Sequence, residues 1–291
     1  MQINKARGEW IIDVVVWMIL VLFCFICLYP FWFIIVASLN EGNDMMRGGV
    51  YWWPRKFTFD NYTTFFAQSS WLSAVKVSVA RTLVGTAFTV FITSLVSYAL
   101  SRRNLVHGKV YRIMFVFSMY VSGGLIPFYI VLRLAGLINT FWVYILPTTL
   151  NLYFVLVGIN FFRSIPESLI EAAYLDGAAE RRIFLQIVLP LSTPFIATLA
   201  LFAAVGQWNS WLDSVYYVSI KSLRPMAYWM ISTMNRTQGS GANQDLSGAI
   251  NLTALATQST AVVATVAPIL LVYPFLQKYF VQGMMIGSIK E

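Results

Sequence analysis

Long apolar runs separated by short polar segments constrain this chain more than any other feature of its sequence. About 20 residues at a rise of 1.5 Å each cross a hydrocarbon layer of ~30 Å, and a helix satisfies its own backbone groups there. We therefore predict an all-α integral membrane protein with six transmembrane helices in a single domain over residues 1–291. The predicted spans are residues 14–39, 82–100, 113–132, 141–162, 191–212 and 259–280.

Composition and motifs exclude several functions. Apolar residues make up 58% of the chain and charged residues 11%. The net charge is +8, but the Lys and Arg residues form no basic patch with interleaved aromatics, which argues against nucleic-acid binding. The sequence has no G-x-x-x-x-G-K-S/T, H-E-x-x-H or G-x-S-x-G motif. Cys24 and Cys27 are interpreted as packing residues, and His107 has no carboxylate or cysteine near it in sequence. We therefore predict no catalytic residue and no metal site.

Lys and Arg residues predict the orientation of the spans. The strongest positive-inside signal is the cluster Arg102, Arg103, Lys109 and Arg112. Both termini are therefore predicted to be cytoplasmic, and the segments 40–70 and 213–258 to face outward. The other cations placed inside are Lys5, Arg7, Arg163, Arg181, Arg182, Lys278 and Lys290. Residues 71–81, which include Lys76 and Arg81, are predicted to form an interfacial helix before the second span.

Polar residues in the spans mark candidate positions on a ligand path. Asn151, near the middle of the fourth predicted span, must face protein, water or ligand, because an amide facing lipid would be costly. An interhelical hydrogen bond is the favoured alternative to ligand contact. Trp208 and Asn209, at the end of the fifth span, are further candidates for the substrate path. Trp208 and Trp211 could stack on a sugar, but interface anchoring is the more common use of tryptophan there.

Residues 163–190 form a polar segment between two apolar runs. Glu171, Ala172 and Ala173 favour a helix, and Gly177 can end it by taking a positive φ. A second helix is predicted to begin at Arg181 and to stop at Pro190. Composition alone favours a loop lying on the lipid headgroups.

The whole pattern, Glu-Ala-Ala, three residues, Gly, nine residues, Ile-x-Leu-Pro, resembles the EAA loop in the membrane subunits of ABC importers. Its positions are filled by Glu171, Ala172, Ala173, Gly177, Ile187, Leu189 and Pro190. The run 165–178 is similar to the carbohydrate-uptake branch, specifically the second permease of maltose-type or complex-polysaccharide importers. Further family-like segments are Leu28-Tyr29-Pro30, Asp60-Asn61-Tyr62, residues 97–102, Trp208-Asn209 and residues 283–290. The terminal Glu291 departs from the maltose-type relatives, which tend to end in Gly.

The resemblance implies the type I ABC importer permease fold in a bacterial cytoplasmic membrane. It implies that residues 163–190 are a cytoplasmic coupling loop whose helix docks into a separate ATPase, with ATP and Mg bound there and no cofactor in this subunit. The implied coupling residues are those of the pattern together with Asp176. The implied partners are a homologous second permease, two ATPase copies, an extracytoplasmic solute-binding protein and a carbohydrate, in the form of oligosaccharide or polysaccharide fragments.

Two other classes of function are alternatives. One is a membrane enzyme or sensor that binds its ligand in residues 213–258, and the other is an ion-coupled carrier working without an ATPase. Both normally use ionisable residues at membrane depth, and the centres of the predicted spans contain none.

Overall fold

The computed structural model describes residues 9–67, 70–239 and 254–286. In these ranges the chain forms α1 (Glu9–Ser38), α2 (Gly42–Met46), α3 (Asp60–Ala67), α4 (Ser70–Ser101), α5 (Gly108–Tyr120), α6 (Leu125–Leu134) and α7 (Leu152–Arg163). They are followed by α8 (Glu167–Leu175), α9 (Glu180–Ile183), α10 (Leu189–Leu191), α11 (Thr193–Asn209), α12 (Leu212–Tyr217), α13 (Met226–Gly239) and α14 (Ala254–Ile286). The predictions for Lys5, Arg7, Lys290 and Glu291 lie outside the described residues.

The helices α1, α2 and α3 belong to one compact unit. The helix α1 passes through Pro30 without ending and leaves most of its apolar side chains exposed, as a helix surrounded by lipid or partner subunits does. Residues after α1 fold back on its end, where Asn61 donates to the backbone oxygens of Ser38 and Asn40, both at 2.9 Å. The predicted outer segment 40–70 is therefore held by buried hydrogen bonds.

The long helix α4 is the centre of the second unit, which also contains α5 to α12. Two glycines let neighbouring helices approach closely, because a Cβ on Gly85 would lie 2.6 Å from Gln207 Nε2 of α11. A Cβ on Gly158 of α7 would lie 2.6 Å from Ser97 Oγ of α4. Small residues at helix crossings are the usual means of close packing in membranes, where no hydrophobic force draws helices together.

The segment before the second predicted span differs from its prediction. Residues 71–81 are the first part of α4, and the apolar helix over Trp71–Ser101 is continuous. Arg81, expected near the interface, is buried with 0% exposure. The reason is an acidic partner far along the chain, Asp213.

Three further predicted spans are interrupted. The third, 113–132, is divided between α5 and α6, which lie at 116° because Val121 is extended and Gly124 takes φ +82. The fourth, 141–162, begins as two 3₁₀ turns and bends by 45° before α7. The fifth, 191–212, bends by 83° between α10 and α11 and ends at Asn209.

Two helices, Ile12–Ser38 and Trp71–Ser101, are long and apolar enough to cross a membrane without a break. The number rises to five if each bent pair is one span, and α14 contains a shorter apolar stretch, Leu255–Leu271. These counts concern only the part of the chain that the structure describes. They support membrane character.

The segment 213–258 is predicted to face outward, and its described part is largely helical. The helices α12 and α13 cover Leu212–Tyr217 and Met226–Gly239. Tyr217, Val218 and Met226 are buried, and this burial of apolar side chains orders a segment that contains many polar residues. Residues 240–253 lie outside the described ranges.

Candidate functional site

The first helix of the loop 163–190 ends where the sequence predicts. Gly177 takes φ +76, and its N–H donates to the Tyr174 oxygen at 2.9 Å. The N–H of Ala178 donates to the Ala173 oxygen, also at 2.9 Å. This pair of bonds is the Schellman motif, which satisfies the last carbonyls of α8 and turns the chain sharply.

The second half of the loop continues further than predicted. The helix begins at Glu180, widens into a π-helical turn over Phe184–Val188 and ends after Leu191, one residue beyond Pro190. Pro190 has no N–H to give to the carbonyl four residues earlier, and a widened turn before it keeps its ring clear of that carbonyl. The break in the helix comes at Ser192.

The loop is attached to the bundle by an apolar face. Ile170 and Ala173 of α8 are 5% and 7% exposed and pack with Ile183, Phe184 and Val188 of the second half. The same core contains side chains of α4, α7 and α11, namely Tyr98, Phe154, Phe162, Phe195 and Leu199. Ile187 and Leu189 are partly buried against it. This core connects α8 to three helices through packed side chains.

The opposite face of α8 is exposed. Glu171, Ala172 and Asp176 are exposed, and Leu175 at the tip has 89% of its surface free. The methyl group of Ala173, in contrast to that of Ala172, is buried in this chain's own core. The face available to another protein is thus acidic at Glu171 and Asp176 and apolar at Ala172 and Leu175.

Glu180 is a residue that the sequence alone does not single out. It accepts a hydrogen bond from Tyr98 at the end of α4, at 2.7 Å, and another from Tyr174 of α8. Arg102 Nε lies 3.6 Å from its carboxylate. Partial burial, followed by the bond to Glu180, raises the pKa of Tyr174, so the phenol stays protonated and donates. Glu180 thus joins the two halves of the loop to α4.

A second cluster absent from the sequence predictions surrounds Arg81. Its guanidinium donates to both oxygens of Asp213, at 3.3 Å from Nη1 and 2.5 Å from Nη2. It also donates to Gln207 Oε1 at 3.2 Å and to the Ser210 oxygen at 3.1 Å, and lies over the Tyr144 ring at 4.3 Å from the centroid. The cluster ties α4 to the junction of α11 and α12, and its charge pair is separated by 132 positions in sequence.

Asn151 does not lie in the middle of a helix. It is the N-cap of α7, and its Oδ1 accepts from the Phe154 N–H at 3.1 Å, while its own N–H donates to Thr93 Oγ1 at 3.1 Å. The break in the fourth span exposes backbone donors at the start of α7, and the amide satisfies one of them. The geometry thus gives the side-chain oxygen of Asn151 a structural role.

Asn151→Leu is therefore expected to lower stability by about 1 kcal/mol through the lost cap. The response of ATP hydrolysis to substrate should be unchanged. The melting temperature of the purified chain measures the first effect. Asn160→Leu makes the same chemical change at an exposed position of α7 and serves as the control. A normal melting temperature with an altered substrate response in Asn151→Leu would instead place the amide on the ligand path.

Trp208 and Asn209 lie at the end of α11, beside the Arg81 cluster through Gln207 and Ser210. Trp208 is half-buried and Asn209 is exposed. They lie at the opposite end of α11 from Phe195 and Leu199, which belong to the core that packs against the loop 163–190. Their contact with substrate stays a prediction.

Comparison with known proteins covers nearly the whole chain. It is 37% identical over 285 residues to the polygalacturonan/rhamnogalacturonan transport system permease protein YtcP of Bacillus subtilis (strain 168), covering 96% of this chain and 98% of that protein. It is 36% identical over 266 residues to protein LplC of the same organism, covering 91% and 90%. No family model matches the chain.

A solved structure has the same fold. A chain in the crystal structure of a bacterial ABC transporter involved in the import of the acidic polysaccharide alginate superposes with a TM-score of 0.88. The match covers 96% of this chain and 100% of that chain at 24% sequence identity. At this identity the likeness concerns the fold.

Proposed function

The chain belongs to the permease subunits of carbohydrate ABC importers, and we propose that its loop 163–190 couples ATP hydrolysis on partner subunits to passage of a saccharide between this chain and a second permease. The geometry of the loop is the observation that supports this role. The loop exposes the face formed by Glu171, Ala172 and Leu175 to solvent, and its buried face packs on α4, α7 and α11. A loop packed in this way can transmit a displacement from a docked protein to the transmembrane spans.

Coupling in this proposal needs no bond chemistry in this subunit. Closure of two ATPase copies around ATP and Mg moves α8, and Glu171 accepts a charge-assisted hydrogen bond from a basic residue of one ATPase. Gly177 and Glu180 hold the two halves of the loop together, so the loop moves as one body. The spans then alternate between inward-open and outward-open arrangements.

The proposed topology has six spans with both termini in the cytoplasm. Six follow if the bent pairs over residues 108–134 and 141–163, the helix α11 and the helix α14 each cross once in addition to the two unbroken helices. The orientation is supported by a cluster of cations at the loop end of α4, where Arg102, Arg112 and Arg163 make hydrogen bonds. The membrane is the bacterial cytoplasmic membrane.

The proposed cargo is a fragment of an acidic polysaccharide, delivered by an extracytoplasmic solute-binding protein. The support is the 37% identical permease of a polygalacturonan/rhamnogalacturonan system. The outward segment 213–258 is the proposed contact for the binding protein, because it follows the end of α11 that lies away from the coupling loop.

Reconstituted transport tests the proposal. The chain, its companion permease, the ATPase and the binding protein in proteoliposomes are expected to take up labelled oligogalacturonide only with ATP and Mg. A neutral maltooligosaccharide of equal length is the matched control for charge and should not stimulate ATP hydrolysis. Uptake driven by an ion gradient without ATP would contradict the coupling role, and equal stimulation by both saccharides would contradict the acidic cargo.

A further inference from the structure

A basic cavity lies where the end of α4, the start of α5 and the last residue of α7 meet. It has a volume of about 480 Å³. Its lining residues are Arg103, Leu105, Gly108, Lys109, Arg112 and Arg163. Four of these are cationic, and no carboxylate is among the lining residues in the described part of the chain. The coupling role proposed above does not use this cavity.

Two of the guanidinium groups are held in place by the end of α4. Arg112 Nη1 donates to the Leu100 oxygen at 3.1 Å, and Arg163 Nε donates to the Ser101 oxygen at 3.3 Å. These carbonyls form the negative end of the helix, which favours cations beside it. A Cβ on Gly108 would lie 3.3 Å from Arg112 Nη1, so the absence of a side chain there gives this guanidinium room. The guanidinium groups of Arg112 and Arg163 are therefore positioned before any anion binds.

One carboxylate lies close to the cavity. Glu167 is 3.4 Å from Arg103 Nη1, but it belongs to the lining of an adjoining cavity, and the two side chains are 49% and 77% exposed. An exposed pair of this kind contributes little, so Arg103 is not neutralised as a binding group. The cavity keeps a strong net positive charge.

The surface next to the cavity is apolar. Exposed side chains of α5 begin one residue after Lys109 and continue along the helix, and they are Val110, Ile113, Met114 and Phe117, with exposures of 52%, 57%, 57% and 63%. A cationic cavity at the polar end of an exposed apolar helix matches a ligand with an anionic head and hydrocarbon chains. Free phosphate would use only the first of these features.

We propose that this cavity binds the phosphate headgroup of an anionic phospholipid, with the acyl chains lying along α5. The inference rests on the proposed orientation, which places the cavity at the inner leaflet. The positive-inside rule accounts for cations on this side of the membrane. It does not account for their convergence on one cavity or for the fixed guanidinium groups.

The test is lipid retention by the purified full-length chain, together with any subunits that copurify. The sample is placed in nanodiscs of phosphatidylcholine with increasing phosphatidylglycerol, and native mass spectrometry counts the lipids that stay bound. The wild type is expected to retain phosphatidylglycerol in preference to phosphatidylcholine. The double variant Arg103→Gln with Lys109→Gln removes two cations and leaves Arg112 and Arg163, which are bonded to the end of α4. Its affinity for phosphatidylglycerol should fall roughly fivefold for each charge removed. Lys221→Gln, at an exposed lysine near α12, is the matched control and should retain lipid normally.

The possible outcomes separate the alternatives. Equal retention of both lipids by the wild type, or equal phosphatidylglycerol retention by the wild type and the double variant, would overturn the proposal. It would also be overturned if inorganic phosphate in phosphatidylcholine discs raised the melting temperature as much as phosphatidylglycerol does, since the ligand would then be a soluble phosphate. ATPase copurification and ATP-driven uptake are scored separately. Selective lipid retention by a chain that binds no ATPase would refute the proposed function and leave this inference standing.

Discussion

Arg81→Met is expected to destabilise the helix bundle by about 3–5 kcal/mol, because it leaves Asp213 without the buried cation that neutralises it. The Arg81 side chain is 1% exposed and the Asp213 side chain 16%, so water replaces little of the lost interaction. Gln207 and the Ser210 carbonyl lose a donor in the same step. The measurement is the melting temperature and the folded yield of the purified chain.

Lys76→Met is the control for this variant, since Lys76 is an exposed cation on the same helix. It should change stability by no more than about 0.5 kcal/mol. Adding Asp213→Asn to Arg81→Met removes the unpaired charge and should recover part of the loss. If Arg81→Met were as stable as Lys76→Met, the ion pair would not hold α4 to the junction of α11 and α12.

Gly177→Val is expected to abolish most uptake while leaving the chain in the membrane. A β-branched residue at φ +76 is strained by at least ~1–2 kcal/mol, enough to shift the population of the docked loop by a factor of roughly 5–30. Because nothing lies within 4 Å of a Cβ at this position, the effect comes from the backbone and not from a clash. Uptake per ATP hydrolysed and ATPase copurification are the measurements. Glu171→Ala should act in the same direction, by removing the proposed acceptor for the ATPase.

Gly136→Val supplies a control with the same chemistry. Gly136 follows α6, takes φ +68 and also has nothing within 4 Å of a Cβ. It should cause a similar loss of stability, yet keep the coupling between uptake and ATP hydrolysis. Equal uptake defects in both variants would show that Gly177 acts through general stability and has no specific role in coupling.

Local signals are enough to predict the turn in the coupling loop from the sequence. Gly177 is predicted to end the first helix because a positive φ is a property of a single residue, and the structure shows the turn there. Hydropathy likewise marks the apolar runs, because each run is contiguous in sequence. The π-helical turn is not predictable in this way, since the widening before Pro190 depends on packing of Phe184 and Val188 in a core shared with other helices.

Contacts between residues that are far apart in the sequence cannot be predicted from such local signals. Arg81 is predicted near the interface because its charge is visible in sequence, whereas its partner Asp213 is 132 positions away. Glu180 escapes prediction for the same reason, since Tyr98 lies 82 positions before it. Asn151 lies at the break before α7, which hydropathy does not reveal because it counts apolar residues and does not detect a 45° bend in the middle of a run. Each error concerns a polar group whose partner is supplied by another helix or whose helix begins at an unforeseen break.

The two ends of α4 provide a direct test of where the ATPase docks. Leu175 is 89% exposed at the tip of α8. The buried face of α8 packs in the core that contains Tyr98, at one end of α4. Leu134 is 83% exposed at the end of α6, where Leu132 packs with Val77 near the other end. The 21 positions between Val77 and Tyr98 correspond to about 30 Å along the helix. The two leucines thus offer similar exposure at opposite ends of one bundle.

Photo-cross-linking from each position is the most direct measurement of the coupling role. Cys24 and Cys27 are first changed to serine, because both are free and exposed. Leu175→Cys or Leu134→Cys is then labelled with a benzophenone maleimide in membranes that contain the ATPase. We predict a cross-link to the ATPase from position 175 and none from position 134. A complex that retains its ATPase but forms no cross-link from position 175, or forms it equally from position 134, would contradict the assignment of residues 163–190 as the coupling loop.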